Sequence, residues 1–412
     1  MKNNFDILIS GASFTGAALA LALGKSLEQT QSIAVIDQAA APSTTSVRKE
    51  SPRAFAISAG SRHLLEFLGL WQQIEPASQP VSEIEITDSP LNAGIRPVLL
   101  TYENIIEDGS PASHIVPDAV LANAFRSALT NASGVEMIEG ATVTGFTTGD
   151  NGAEIITSNG ASYTADLVIA AEGRRSAIRD AAGIKTVGWD YPQSGICTVL
   201  RHSVPHHGRA IQHFLPSGPF AILPLPNDRS CVTWTEEKAE ARRIMALPDN
   251  DFHAEVERRF AGRLGELEVI VRPASWPLSL HLARSFVSPH LALIGDTARG
   301  VHPIAGQGLN LGFRDVAALT EVIVDNARIG LPPSDPEGLK RYERWRRFDS
   351  TVSTAAFDGL NRLFSNDNPL LRSLRDAGLG LIDRMPLAKS ILVREAAGQT
   401  GDVPRLLRGD PL

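Results

Sequence analysis

Three small residues at fixed spacing, Gly11, Ser13 and Gly16, stand in the stretch DILISGASFTG, between an apolar run and a helix-forming one. Such spacing lets a chain turn tightly out of a strand and offer backbone N–H groups, at the start of a helix, to a pyrophosphate. Gly11 supplies the turn, and Ala12, Ser13, Phe14, Thr15 and Gly16 carry the amides. Asp37, closing the next apolar run SIAVIDQ, supplies a carboxylate for ribose hydroxyls. Ser13 stands where the pattern has its middle glycine, and its hydroxyl can itself donate to phosphate. Asp37 follows Gly11 by 26 residues, against the usual ~20, which places a longer loop around EQTQS. These residues alone leave two readings open, a nucleotide site and an ordinary tight turn.

The elements that would position them narrow the choice. Ile7, Leu8 and Ile9 form the unbroken apolar run of a strand buried on both faces, AALALALGKSL forms a helix, and SIAVIDQ a second strand. Strand, helix and parallel strand are the repeating unit of a doubly wound sheet. YTADLVIAAEGRRSAIRDAAGI repeats a strand, a turn at Glu172 and Gly173, and a helix opened by Ser176. HLALIGDTARGVHPIAGQGLNLGFRDVAALTEVI is a strand, a Gly-Asp turn, a proline-containing loop and a long helix starting near Gly308. Strand-like stretches at Val81–Asp88, Ser194–His202, Ala210–Leu215 and Cys231–Glu237 belong to a second sheet. His213 and Trp234 within them are expected as core or surface residues rather than substrate contacts. From Pro336 the chain is helical, with basic amphipathic stretches that suit either packing on the nucleotide-binding part or a membrane surface.

Composition excludes several classes. With 412 residues, 43% of them hydrophobic, the chain buries a large core in two or three units. A formal charge of −7 and no basic cluster interleaved with aromatics argue against nucleic acid. Cys197 and Cys231, the only cysteines, form no CxxC pair and are expected in the core of a protein from a reducing compartment. The ten histidines form no helical HxxxH or HExxH pair, so no metal site is expected. No basic leader with an apolar centre is evident, nor a run near the ~20 apolar residues of a membrane span, so a cytoplasmic protein is expected.

The order of these motifs resembles the flavoprotein aromatic hydroxylases of the para-hydroxybenzoate hydroxylase class over nearly the whole chain. Within that class it is most similar to the ubiquinone-biosynthesis hydroxylases. The resemblance is carried by PRAFAISAGSRHLLEFLGLW (Pro52–Trp71), HPIAGQGLNLGFRDVAAL (His302–Leu319) and DGLNRLFSNDNPLLRSLRDAGLGLIDRMP (Asp358–Pro386). It implies a doubly wound, Rossmann-like α/β FAD-binding domain (1–75, 112–190 and 285–335), an inserted mixed β-sheet substrate domain (76–111 and 191–284) and a C-terminal helical region (336–412).

The site residues follow from the same resemblance. In the Gly295-Asp296 turn, Asp296 accepts from a ribityl hydroxyl. The helix from Gly308, with Leu309 and Asn310, directs its positive end at the flavin pyrimidine edge. Pro303, Ile304, Ala305 and Gly306 line the face where oxygen adds, and Pro303, Ala305 and Gly306 are the catalytic candidates. Arg53 lies at the flavin edge, with a surface salt bridge as its alternative, and Gln38 and Val143 complete the cofactor set. Glu172 departs from the family's aspartate, Arg299 stands where relatives often have histidine, and Asp118-Ala119 where they often have Asn-Arg. The implied activity is hydroxylation of a polyprenyl phenol in ubiquinone biosynthesis through a flavin C4a-hydroperoxide. FAD would be reduced by NAD(P)H or a protein donor, with O2 as co-substrate. Peripheral association at the inner face of a membrane, or with a biosynthetic complex, accompanies that reading. The rivals are a flavin oxidoreductase of another aromatic substrate and a catalytically weak flavoprotein scaffold.

Overall fold

The computed structural model describes residues 3–28, 30–39, 51–91, 96–303, 306–366, 375 and 378–412. The opening unit forms as its pattern dictates. Strand Asn4–Ser10 leads through the Gly11 turn into helix Phe14–Ser26 and on to strand Ile33–Asp37, parallel to the first. Ala17, Ala18, Ala20 and Ala22 are wholly buried, small side chains that let this helix lie close to its neighbours.

Five parallel strands make the centre of the first sheet, in the order Leu291–Leu293, Ser162–Ala170, Asn4–Ser10, Ile33–Asp37, Val135–Glu139. Gly152–Thr157 and Val143–Gly149 extend it antiparallel from the edge of Ser162–Ala170. A second sheet of eight strands runs Arg299–Gly300, Leu267–Ala283, Thr186–His202, Arg229–Glu237, Gly218–Leu225, Arg209–Leu215, Glu83–Asp88, Val98–Glu103. It is mixed, because Arg209–Leu215 and Glu83–Asp88 pair parallel while the other pairs are antiparallel. Two details differ from the expected segment bounds. Thr186–His202 is a single strand crossing residue 190, and Arg299–Gly300 joins the second sheet from within 285–335. The exposed start of that long strand, TVGWD, offers only Val187 and Trp189 on either side of a glycine, both exposed.

Helix Gly308–Arg328 is the hub between these parts. Every residue from Asn310 to Val324 is buried, charged ones included. Asp315 lies at its centre with no exposure. Its Oδ2 accepts from Arg299 Nη1 (2.6 Å) and from the Gly295 N–H (2.9 Å), and its Oδ1 from Arg346 Nε (2.8 Å). Arg346, in the long helix Pro336–Phe364, also donates to Asp349 Oδ2 at 2.7 Å. Burial alone would lower the Arg346 guanidinium, but Asp315 and Asp349 outweigh it and hold its pKa above the ordinary value. Breaking one side of such a buried group strands the other, at a typical cost of about 3–5 kcal/mol. Asp315→Ala is therefore expected to lose stability of that order in urea unfolding, whereas exposed Glu337→Ala, which removes a surface pair with Lys340, changes it by less than ~1 kcal/mol.

Candidate active site

The phosphate turn is built by close packing. Gly11 has φ +100°, and a Cβ there would lie 2.4 Å from the Ala171 carbonyl oxygen, so the position requires glycine. Both oxygens of Asp37 are engaged by the chain itself: Oδ2 accepts from the Ala12 N–H (2.6 Å) and Oδ1 from the Ala39 N–H (2.7 Å). The Ala12 amide is thus taken by the acid expected to bind ribose. Ser13 to Gly16 precede the first amide bonded within the helix, Ala17 N–H to Ser13 C=O. Ser13 is the N-cap residue, its side chain makes no capping bond, and it borders the cavity. Thr15 lies against both Gly295 and Gly312, where a Cβ would come within 2.9 and 2.5 Å of its side chain.

That turn opens into a cavity of about 1470 Å³. Gly11, Ser13, Phe14 and Thr15 line one end with Asp37, Gln38 and Val143, and Arg53 and Asp296 line it further along. Arg53 lies over the rings of Phe55 (5.0 Å) and Trp276 (5.5 Å), which fixes a cation on the wall. What Asp296 exposes is cavity wall, and the protein around it raises its carboxyl above the ordinary range against the opposing pull of His281, Arg299 and Arg53. His281 Nε2 donates to the Asp296 backbone oxygen at 2.8 Å. Pro303, Gly306, Gly308 and Leu309 line the middle of the cavity. Gly306 has φ +63°, its N–H donates to the Pro303 oxygen (3.0 Å), and the nearest atom to a Cβ there is Ala56 Cβ at 3.7 Å. Ile304 and Ala305 lie outside the described residues.

Several expected site residues do other work. Ala12, Gly16, Gly295 and Asn310 do not border the cavity. Asn310 clasps the long helix to the segment before it: Oδ1 accepts from the Ser58 N–H (3.1 Å) and Ser61 Oγ (2.8 Å), and Nδ2 donates to the Ala56 oxygen (2.9 Å). Glu172 borders the cavity, but its carboxylate accepts from Ser10 Oγ (2.8 Å), Ser176 Oγ (2.6 Å) and the Ile178 N–H (3.1 Å). It thereby ties the first strand to the helix Ala177–Ala181. Arg299 belongs to the Asp315 cluster.

The second sheet supplies the opposite wall, and strand alternation decides which side chains reach it. Ala210, Gln212 and Phe214 face the cavity beside Ala221, Thr233 and Thr235 of neighbouring strands. His213 and Trp234 do not border it. Trp234 stacks between Phe220 (5.5 Å) and Phe252 (5.9 Å), and His213 meets Thr87 and Ser89. Sequence reading missed Gln212, because alternation shows two faces without showing which one meets the cofactor domain. Beyond Phe214 the cavity continues as an apolar arm lined by Leu100, Phe357, Phe364, Leu379 and Leu392. On its wall Arg375 is buried against Asp88, Nη2 to Oδ2 at 2.8 Å.

The cavity exceeds the ~300–1,000 Å³ of a typical small-ligand site, and its cradle of amides, Asp296 and the Gly308 helix start fits a flavin dinucleotide with a substrate beside it. Fold and site together define a flavin-dependent protein of the doubly wound class with a second sheet over the cofactor. Residues 4–348 match the FAD binding domain family, to which the chain belongs. It is 38% identical to the ubiquinone hydroxylase UbiL of Rhodospirillum rubrum, over 99% of this chain and 93% of that protein. It is 30% identical to the 3-demethoxyubiquinol 3-hydroxylase of Escherichia coli, over 95% and 98%. Among solved structures, the p-nitrophenol 4-monooxygenase PnpA of Pseudomonas putida DLL-E4 superposes with a TM-score of 0.77 at 18% identity, covering 97% of this chain and all of that one.

Two outcomes follow. Gly11→Ala places a methyl group on a backbone oxygen, and FAD titration of the apoprotein is expected to show at least a tenfold weaker complex, while Ser13→Gly, which loses no capping bond, binds at least as tightly as the parent. Burial pushes His114 and His302 down to about 4 and His213 to about 3. The unfolded chain takes up these protons below about pH 6.5. Stability is thus lost as pH falls from about 6.5 toward 4, seen as a falling urea midpoint, and His302→Phe is expected to flatten the fall.

Proposed function

We propose that this protein is an FAD-dependent monooxygenase that hydroxylates the ring of a polyprenyl phenol in ubiquinone biosynthesis. The observation that carries this reading is the continuity of one cavity, from the amides beside Gly11 past Pro303 and Gly306 to the apolar arm between the second sheet and the C-terminal helices. A phenol ring beside the flavin would leave its prenyl tail against Phe214, Leu100 and Phe364. The names of the relatives, a ubiquinone hydroxylase and a demethoxyubiquinol hydroxylase, support the same substrate class.

Bound flavin supplies the activation of molecular oxygen. Ser13, Phe14 and Thr15 hold the pyrophosphate by their amides, and Asp296 orients a ribityl hydroxyl. Arg53 fixes one flavin edge from between its two rings. The N-terminal end of the Gly308 helix offsets negative charge on the pyrimidine side. Pro303 and Gly306, which line the cavity, would border the flavin with groups that supply no acidic proton and little to hold water. Gln212, whose Nε2 has no partner among the described residues, would donate to the ring oxygen, with Thr233 and Thr235 beside it. Association with a membrane surface or with other enzymes of the route belongs to this reading, supported by exposed Phe348, Leu387 and Ile391 on the C-terminal helices.

Tail length is the direct test of the arm. Each CH2 buried contributes about 0.8 kcal/mol. Leu360→Trp, at the rim of the arm, is expected to raise KM for a long-tailed phenol about tenfold while leaving a tail-less analogue unchanged. Equal KM for both substrates in the parent enzyme would remove the arm from substrate binding. Gly306→Val forces a β-branched residue to φ +63°. The expected protein folds, yet loses coupled product formation at least ~100-fold, read as oxygen consumed without hydroxylated product.

A further inference from the structure

Cys197 and Cys231 lie on neighbouring strands of the second sheet. The register pairs Cys197 with Thr233 and Val199 with Cys231, so the two cysteines are diagonal neighbours. Their sulfurs are 3.5 Å apart. Both point at one acceptor, the Pro52 carbonyl oxygen, 2.8 Å from Cys197 Sγ and 3.4 Å from Cys231 Sγ. Pro52 immediately precedes Arg53, the cation on the cavity wall. Cys197 itself borders the cavity, whereas Cys231 lies behind it. The two thiols therefore latch the Arg53 segment to the second sheet, from a position that a small oxidant in the cavity can reach.

We propose that Cys197 and Cys231 form a peroxide-reactive dithiol whose oxidation to a disulfide loosens the Arg53 segment and with it the hold on FAD. The oxidant is hydrogen peroxide, which flavin proteins release when reduced flavin meets oxygen without a substrate to accept it. Cys197 sulfur attacks one peroxide oxygen, an S–O bond forms, the O–O bond breaks, and the departing hydroxide takes the thiol proton as water. Cys231 sulfur then attacks Cys197, the S–S bond forms, the S–O bond breaks, and a second water leaves with the Cys231 proton. In sum, two thiols are oxidised and one peroxide is reduced to two waters.

The surroundings favour that order. The hydrogen bond from Cys231 lowers the Cys197 thiol against the opposing effect of burial, aided by the Thr233 hydroxyl (3.2 Å) and by Arg53. The same pairing and burial raise the Cys231 thiol. Cys197, the sulfur that borders the cavity, meets the oxidant first and is the attacking group, and Cys231 behind it is the resolving one. Diagonal neighbours stand farther apart than most disulfides allow, so closure needs the strands to give. Here the register of Thr186–His202 against Leu267–Ala283 shifts between Cys197 and Val199, an irregularity where such adjustment is easiest. A disulfide closed under such constraint is readily reduced, as a reversible latch requires.

This inference rests on the flavin-edge position of Arg53, and its test reads the thiols separately from the flavin. FAD-loaded protein is exposed to a few equivalents of hydrogen peroxide, denatured with an alkylating agent and mapped by peptide mass spectrometry. Expected are loss of both free thiols, a peptide pair linked through Cys197 and Cys231, and recovery with dithiothreitol. In Cys231→Ser, dimedone is expected to trap a sulfenic acid on Cys197. FAD affinity by fluorescence titration is expected to fall at least fivefold on oxidation and recover on reduction, with no such change in Cys231→Ser. Thiols that stay fully alkylable under peroxide that oxidises glutathione would overturn the dithiol site. A linked pair with unchanged FAD affinity would overturn the latch.

Discussion

The Asp315 carboxylate, enclosed in the middle of helix Gly308–Arg328, is the constraint from which the arrangement of the site follows. Through its contacts to Arg299, Arg346 and the Gly295 amide it joins three parts of the chain. The Gly295 turn carries Asp296 to the cavity, Arg299 leads into the loop before Pro303, and Arg346 brings in the C-terminal helix whose later residues wall the apolar arm. A charge so deeply buried is tolerated only when paired and hydrogen-bonded. The pairing therefore fixes where the Gly295 turn and the helix Pro336–Phe364 stand relative to each other.

Around that cluster the cavity changes character along its length. Backbone amides and Asp37 beside Gly11, with Arg53 and Asp296 further along, make that half of the cavity polar and suited to a charged dinucleotide. Phe214, Leu100, Phe357 and Phe364 make the other end suitable for hydrocarbon. A substrate with a polar ring and a long apolar tail satisfies both only when its ring lies at their junction, beside Pro303 and Gly306. Arg375, buried on the apolar wall, is neutralised by Asp88.

Much of this was legible in the sequence, where local pattern and fold agree. The buried strand Asn4–Ser10, the glycine turn, the alanine-rich helix and the start of the long helix at Gly308 all follow from periodicity and turn chemistry. Side chains whose partners lie far along the chain were harder to place. Asn310, expected at the cofactor, clasps Ser58 and Ser61, more than two hundred residues earlier. Glu172 looked like a weakened ligand, yet its extra methylene reaches Ser10 and Ser176. Arg299, in the place of a histidine, is paired with Asp315. Gln212 was invisible because alternation along its strand is symmetrical until the sheet is seen to face the cavity. The start of Thr186–His202 was missed because its alternation is only Val187 and Trp189 across a glycine, too short a run to mark a strand.

The central claim is that one cavity brings flavin, oxygen and the ring of a prenylated phenol together. The most direct measurement supplies the FAD-loaded protein with a reductant, 18O2 and a short-tailed prenyl phenol, and examines the product by mass spectrometry. One 18O atom in a new ring hydroxyl per turnover, dependent on FAD, is the predicted result. A product whose new oxygen comes from water, or a ring dehydrogenated without any added oxygen, would contradict it.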